Sequence, residues 1–247
     1  MTPTLQIRGI LLDIEGTTTP ISFVHEVLFP YARTRVRDYL AKFLEVTETK
    51  DNLALLREEH RVDVERNAAP PPLVNEAREA EIDSLVSYVA WLIAEDRKSP
   101  GLKQLQGRIW KQGYLDGTLK APLFADVLPA LERWRQTGIR IAIFSSGSVL
   151  AQQLLFAHTE AGDVTKLIDS YFDTTTGPKL APESYRSIAA SLGLPANEML
   201  FISDVTKELD AARAAGLDTR LCVRPGNQPQ PDQSHPMIAT FAEVELS

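Results

Sequence analysis

A single cysteine, Cys222, stands among 247 residues, so no disulfide can form within the chain. A small oxidised scaffold held together by cross-links is thereby excluded. Cys222 falls in Thr219–Val223, which reads as a strand, and a buried structural thiol is expected there rather than a nucleophile. No apolar run approaches the ~20 residues needed to span a bilayer. The sequence also lacks a charged opening followed by a long apolar stretch, the mark of a secretory signal. The expectation is a cytoplasmic protein with no membrane partner. Positive charge is in short supply: 26 Lys and Arg against 33 Asp and Glu give a net charge of −7. That balance argues against a general nucleic-acid binder but leaves room for a local positive pocket that holds one phosphate. Internal repeats and low-complexity tracts are missing too, and a monomer is expected.

A hydrophobic content of 44% is enough for a sizeable core. Ile10–Leu12 reads as a buried parallel strand, and the next strongly strand-like run, Ile139–Phe144, comes more than a hundred residues later. After it follow a helix at Val149–Ala157, a strand near Tyr171–Phe172, and a helix from Pro182 to about Gly193. A strand at Met199–Ile202, a helix ending near Gly216 and the strand Thr219–Val223 complete the series. Strands alternating with short helices predict an α/β fold with a Rossmann-like parallel sheet covered on both faces. Gly226–Pro236, rich in Pro and Gln, reads as a surface loop before a short C-terminal segment.

Residues 23–119 show helical periodicity and almost no strand signal, with helices expected at Val24–Leu44, Asn52–Val64, Asn75–Ala94 and Leu102–Gln112 and a break at Pro70–Pro72. Trp91 and Trp110 are expected to pack between these helices. The predicted organisation is a discontinuous core, 1–22 with 120–247, and an inserted α-helical domain, 23–119. Such an insertion, directly after the first strand, would sit above the carboxyl edge of the sheet and could close over a substrate as lids do.

Four segments carry candidate chemistry. In LLDIEGTTTP, Asp13 and Glu15 lie where the first strand ends, and both acids can gather at the carboxyl end of the sheet, where open α/β folds bind ligands. Solvated acids capping a strand would look the same. In FSSGS, Ser145 and Ser146 follow a strand, and hydroxyls and amides at a strand-to-helix junction suit phosphate oxygens, although a Ser-Gly-Ser turn is also common for steric reasons. Lys179, after Gly177-Pro178, could bring a compact positive charge to a phosphate, yet most lysines are simply solvated. Asp204 ends a strand and Glu208 lies one helical turn on. Strand-end carboxylates are hard oxygen ligands suited to Mg²⁺, while Asp204 could equally cap a helix and Glu208 be an exposed helical acid.

In this order, each after a strand, Asp13/Glu15, Ser145, Lys179 and Asp204/Glu208 resemble the haloacid dehalogenase superfamily of phosphotransferases. One departure stands out: Glu15 occupies the place where most phosphatases of that superfamily have Asp. DIEGTTTPISFVHEVLFPYA (13–32), DRKSPGLKQLQGRIW (96–110), FADVLPALERW (124–134), SSGSVLAQQLLFAHTEAGDV (145–164), FDTTTGPK (172–179), SDVTKELDAA (203–212) and VRPGN (223–227) further resemble the enolase-phosphatases of methionine salvage. The likeness covers nearly the whole chain and is weakest at 45–80 and after 227. It implies a haloacid dehalogenase-type core with a helical cap. The enzyme it implies enolises 2,3-diketo-5-methylthiopentyl 1-phosphate, a phosphorylated diketone, and then removes phosphate to give 1,2-dihydroxy-3-keto-5-methylthiopentene. It also implies Asp13 as nucleophile, Glu15 as proton carrier, and Mg²⁺ held by Asp13, the Glu15 carbonyl and Asp204. Ser145, the Ser146 backbone and Lys179 would bind the phosphoryl group, with Glu208 at most a helper. The residues alone also admit a phosphatase for another small metabolite, a phospho-accepting signalling domain, or a non-catalytic binding module.

Overall fold

The computed structural model describes residues 6–230 and 234–245, so part of the expected 226–236 loop, residues 231–233, lies outside the described residues. The chain separates into two compact units, one holding the residues up to His25 together with those from Gly117 onward, the other Glu26–Asp116.

The first unit is built on a six-stranded parallel sheet. Its strands are β1 (Gly9–Leu12), β2 (Arg140–Phe144), β3 (Ser170–Phe172), β4 (Met199–Ser203), β5 (Asp218–Cys222) and β6 (Met237–Ile238), in the order β3-β2-β1-β4-β5-β6. β1 and β4 are buried along their whole length, which is why they read as continuous apolar runs rather than as alternating ones. Among the described residues four α-helices accompany the sheet, numbered after the four of the other unit: α5 (Val127–Gln136), α6 (Val149–Ala157), α7 (Pro182–Ser191) and α8 (Thr206–Ala214), with short 3₁₀ turns at Thr165–Leu167, Ala196–Glu198 and Phe241–Glu243. α7 and α8 place Tyr185, Ile188, Leu209 and Ala212 against Leu11, Ala142, Phe144, Met199 and Phe201, one face of the sheet. α5 packs on β2, and its Trp134 is fully buried with its ring centroid 5.4 Å from that of Phe241.

Two elements escape the sequence reading. No helix is expected over α5, although its segment is marked by likeness. β6 is only two residues long, too short to show a period, although Leu221 N donates to Pro236 O at 2.9 Å and Val223 N to Ile238 O at 2.9 Å. Cys222 is buried as expected, and burial pushes its thiol up to about 12, which makes it inert at neutral pH.

The second unit is helical: α1 (Phe29–Phe43), α2 (Thr47–Glu65), α3 (Arg78–Ala94) and α4 (Pro100–Leu115). The single helix expected at Val24–Leu44 is instead a π-helical segment, Phe23–Leu28, followed by α1. Pro30 lacks a backbone donor and so sits in the first turn of the α-helix proper. α4 starts where the Ser99 hydroxyl accepts from Leu102 N at 2.9 Å, and buries Leu102, Leu105 and Ile109 on one stripe. Trp110 is core, its indole donating to Leu28 O at 2.8 Å; Trp91 is only half-buried, stacked 5.8 Å from Tyr88. Asp63 is buried and offset by Arg97 and by the Tyr88 hydroxyl at 3.0 Å.

One buried cation ties distant parts of the first unit together. Arg224 donates to both carboxylate oxygens of Asp126, at 2.8 and 2.9 Å, to Ala239 O at 2.8 Å and to Thr17 O at 3.3 Å. Its guanidinium lies 4.6 Å from the Phe124 ring centroid and 4.9 Å from that of Phe241. Asp126 also accepts from Phe241 N at 2.6 Å. Asp126→Ala should therefore cost about 3–5 kcal/mol, because it strands a buried guanidinium. Urea unfolding measures this, and a loss under about 1 kcal/mol would contradict the burial argument.

Candidate active site

Strand register sets the site. Leu12 pairs with Ile143 on one side and with Ile202 on the other, and Asp13 N donates to Ile202 O at 3.0 Å. Asp13, Ser145 and Asp204 therefore stand at the carboxyl ends of three adjacent strands, β1, β2 and β4. The chain works outward through β2 and β3 and then crosses to β4, so strand order reverses between β1 and β4, the crevice where such sheets bind ligands. Beyond Asp13 the chain leaves strand geometry. Ile14 O accepts from Thr17 N, Thr18 N and Thr19 N at 3.1, 2.9 and 3.0 Å, and Gly16 N donates to Thr19 O at 2.8 Å. This tight loop keeps Glu15 half-buried beside the strand end while Asp13 is buried.

Lys179 reaches the centre of the sheet from the loop after β3. Its ammonium lies 2.7 Å from Asp13 Oδ1 and 2.6 Å from Glu208 Oε2, with its side chain only 10% exposed. The Tyr185 hydroxyl donates to Lys179 O at 2.7 Å, and Nζ lies 5.9 Å from the Phe144 ring centroid. Lys179 is not a solvated surface lysine, nor is Glu208 an exposed acid: Glu208 also accepts from Ser203 Oγ at 3.1 Å. Asp204 does not cap α8, whose N-terminal flanking residue is Val205.

Ser145 is buried and accepts from Gly147 N at 3.1 Å, while Ser146 is exposed at the start of the turn and Ser148 caps α6 by accepting from Ala151 N at 3.3 Å. Among the described residues neither Ser145 nor Ser146 bonds Asp13 or Lys179 through its side chain; register alone sets Ser145 beside Asp13. Two residues given no part by the sequence reading shape this edge. Asp173, at the end of β3, accepts from Val149 N at 3.2 Å and from Thr175 N at 2.9 Å, so it joins the start of α6 to the turn that leads to Lys179. Gln152 is buried and donates to Gly147 O at 2.9 Å and Phe172 O at 2.8 Å. Both fall within segments already marked by likeness, Asp173 in 172–179 and Gln152 in 145–164, but nothing in the local pattern shows what either one bonds.

The donor set fits a hard divalent cation. Among the described residues no three His, Cys, Asp or Glu side chains form a cage. Mg²⁺ does not require one: it retains several waters and is commonly held by one or two carboxylates. Asp13 and Asp204 would supply those, and the Glu15 carbonyl lies in the same loop as Asp13. Gly16 explains how close these groups come. Its φ is +73°, and a β-carbon there would collide with Asp204 Oδ2 and stand 2.8 Å from Asn227 Oδ1.

Crowding of acids shows in their proton affinities. Burial, and then the Asp13 charge, raise Glu15 from 4.5 to about 7 against the pull of Lys179. Burial, Asp13 and Glu208 raise Asp204 from 3.8 to about 7, and burial and Asp13 raise Glu208 from 4.5 to about 7, again against Lys179. Burial by itself would lower Lys179, but Asp13 and Glu208 outweigh it and the ammonium is held above its ordinary pKa. An acid whose folded pKa lies above its unfolded one binds more protons when folded in the interval between them. The metal-free protein should thus lose stability as pH rises from about 5 through about 7, while Lys179, charged in both states throughout, contributes no slope there. A chelated sample should melt at a higher temperature at pH 6 than at pH 8.5; a lower melting temperature at pH 6 would contradict this electrostatic picture.

Residues 7–216 match the family model of haloacid dehalogenase-like hydrolases. An enolase-phosphatase E1 of Synechococcus elongatus is 54% identical over 223 residues, which cover 90% of this chain and 91% of that protein. An enolase-phosphatase E1 of Danio rerio is 42% identical over 247 residues, 97% of this chain and 95% of its own. Among solved structures, the UTR4 protein of Saccharomyces cerevisiae superposes with a TM-score of 0.79 at 36% identity, covering 96% of this chain and 100% of that one. The chain belongs to the haloacid dehalogenase-like hydrolases and, within them, to the enolase-phosphatases E1.

Proposed function

We propose that this enzyme takes 2,3-diketo-5-methylthiopentyl 1-phosphate through enolisation and then dephosphorylation to 1,2-dihydroxy-3-keto-5-methylthiopentene and phosphate. The observation that carries the phosphatase half is the Lys179 ammonium 2.7 Å from Asp13 at the sheet's switch point. The names of relatives that match nine-tenths of the chain support the choice of substrate. Mg²⁺, held by Asp13, the Glu15 carbonyl and Asp204, would offset the repulsion between carboxylate and phosphate.

Asp13 attacks phosphorus in line: one carboxylate oxygen gains the phosphoryl group as the bridging C–O–P bond breaks, leaving an aspartyl phosphate. Lys179, already paired with Asp13, follows the negative charge onto the phosphoryl oxygens, with Ser145 and the Ser146 backbone on the β2 side. Glu208 keeps the ammonium in place. Glu15, protonated near neutral pH in the metal-free site, can give its proton to the leaving oxygen and recover one from the water that hydrolyses the intermediate. Enolisation comes first because moving a proton from the phosphate-bearing carbon to the neighbouring carbonyl oxygen makes the leaving oxygen that of an enol, which departs as an enolate, less basic than an alkoxide. On this reading the protein works in the cytoplasm as a monomer.

The test is Asp13→Asn with the diketo phosphate and Mg²⁺ in D₂O. The variant should release no phosphate, yet take up deuterium at the phosphate-bearing carbon or accumulate the enol phosphate. Phosphate release near the wild-type rate would remove Asp13 from the chemistry. Release of phosphate from the unenolised diketone by the wild type would reverse the order of steps.

A further inference from the structure

Asn227 lies in the turn after β5, beyond every segment given a catalytic part above. Its amide orientation is fixed by bonding: Nδ2 donates to Gly16 O at 2.9 Å and to Cys222 O at 3.2 Å. The reverse orientation would aim Oδ1 at two carbonyl oxygens, acceptor against acceptor. Oδ1 is therefore turned the other way, where it is buried and, among the described residues, without a hydrogen-bond partner. A buried amide oxygen left unsatisfied costs free energy, so its environment calls for a donor.

Gly16 shows where that oxygen points. Asn227 Oδ1 and Asp204 Oδ2 both lie within 2.8 Å of the position a Gly16 β-carbon would take. Two oxygens that near a common point can be spanned by a single water. Both are acceptors when Asp204 is ionised, so they need a proton donor or a cation between or above them. A hydrated divalent cation on Asp204 supplies such a donor, because its bound waters are polarised and short of acceptors.

We propose that Asn227 is a positioning residue for the metal site: its Oδ1 accepts a hydrogen bond from a water bound to the divalent cation on Asp204. Its Nδ2 meanwhile clamps the Gly16 loop that presents Asp13 and Glu15. This rests on the Mg²⁺ reading given above. The arrangement couples a residue in the turn after β5 to a metal held at the ends of β1 and β4, and it gives Gly16 a second reason, besides its positive φ, to lack a side chain.

Two variants separate the oxygen from the clamp. Asn227→Ala removes both; Asn227→Asp keeps an oxygen and loses the donor. Direct Mg²⁺ titration by calorimetry, with melting temperatures taken alongside without metal, reads the two parts separately. Asn227→Ala should weaken Mg²⁺ binding about 10-fold or more, the scale for loss of a partner to a metal-bound group. Asn227→Asp should bind Mg²⁺ at least as tightly as the wild type, although its metal-free melting temperature falls like that of Asn227→Ala. Equal Mg²⁺ affinities in wild type and Asn227→Ala, or equal weakening in both variants, would show a loop clamp alone and overturn the proposal. If Asn227→Ala does not fold, Asn227→Asp decides by itself: tenfold weaker binding than wild type overturns it. Failure of the wild type to bind Mg²⁺ at all would overturn the metal reading together with this one.

Discussion

An ammonium group taken out of water must be matched by nearby carboxylates, or it gives up its proton. Lys179 meets that requirement with two acids drawn from different elements, Asp13 just past β1 and Glu208 on α8. Most of the first unit can be read as the means of bringing these three together. The parallel register sets the end of β1 level with the ends of β2 and β4. The turn braced by Asp173 brings the chain back from the outer strand β3, and Tyr185 holds the Lys179 carbonyl while the four-carbon stem crosses toward β1. Charge balance then shapes the rest of the site. Burial first, and then the negative surroundings left by one cation shared between two acids, make Glu15 and Asp204 hold their protons up to about neutral pH. A site in that condition is short of positive charge, which is the condition a divalent cation and its polarised water relieve.

The other buried cation is used differently. Arg224 is a planar fork that meets Asp126 through two bonds and lies against two aromatic rings, and it has no open side for a substrate. It fixes Thr17, on the loop that follows Asp13, to the start of α5 and to the C-terminal segment. Lys179 is a point charge on a flexible stem, and in the proposed mechanism it would shift as negative charge moves from carboxylate to phosphoryl oxygen. Arginine braces the loop, and lysine is the one left to serve the proposed chemistry.

Much of the sheet was legible because its strands are buried on both faces and so read as unbroken apolar runs: Ile10–Leu12, Ile139–Phe144 and Met199–Ile202 fall within a residue of β1, β2 and β4. Helix ends were less legible, since α2 begins at Thr47, five residues before its expected start, after an extended Val46 with no side-chain cap to mark it. β6 has two residues and owes its existence to partners on β5 rather than to its own pattern. At the site, the residue types were visible but their contacts were not. Glu208 stood between an exposed acid and a helper, because only the long-range pairing with Lys179 distinguishes them. Asn227 closes the VRPGN segment marked by likeness, but nothing there shows what it does: the significance of its amide depends on Gly16, more than two hundred residues earlier in the chain.

The central claim is that Asp13, paired with Lys179, is the group that receives the phosphoryl. Its most direct test is rapid acid quenching of wild-type turnover on the diketo phosphate, followed by peptide mass spectrometry. The account predicts a phosphoryl adduct, labile to hydroxylamine, on the peptide that contains Asp13, appearing within the first turnover. Steady turnover with no adduct on that peptide, and with inversion of configuration at phosphorus when a chiral phosphate ester is used, would mean that water attacks directly and would contradict it.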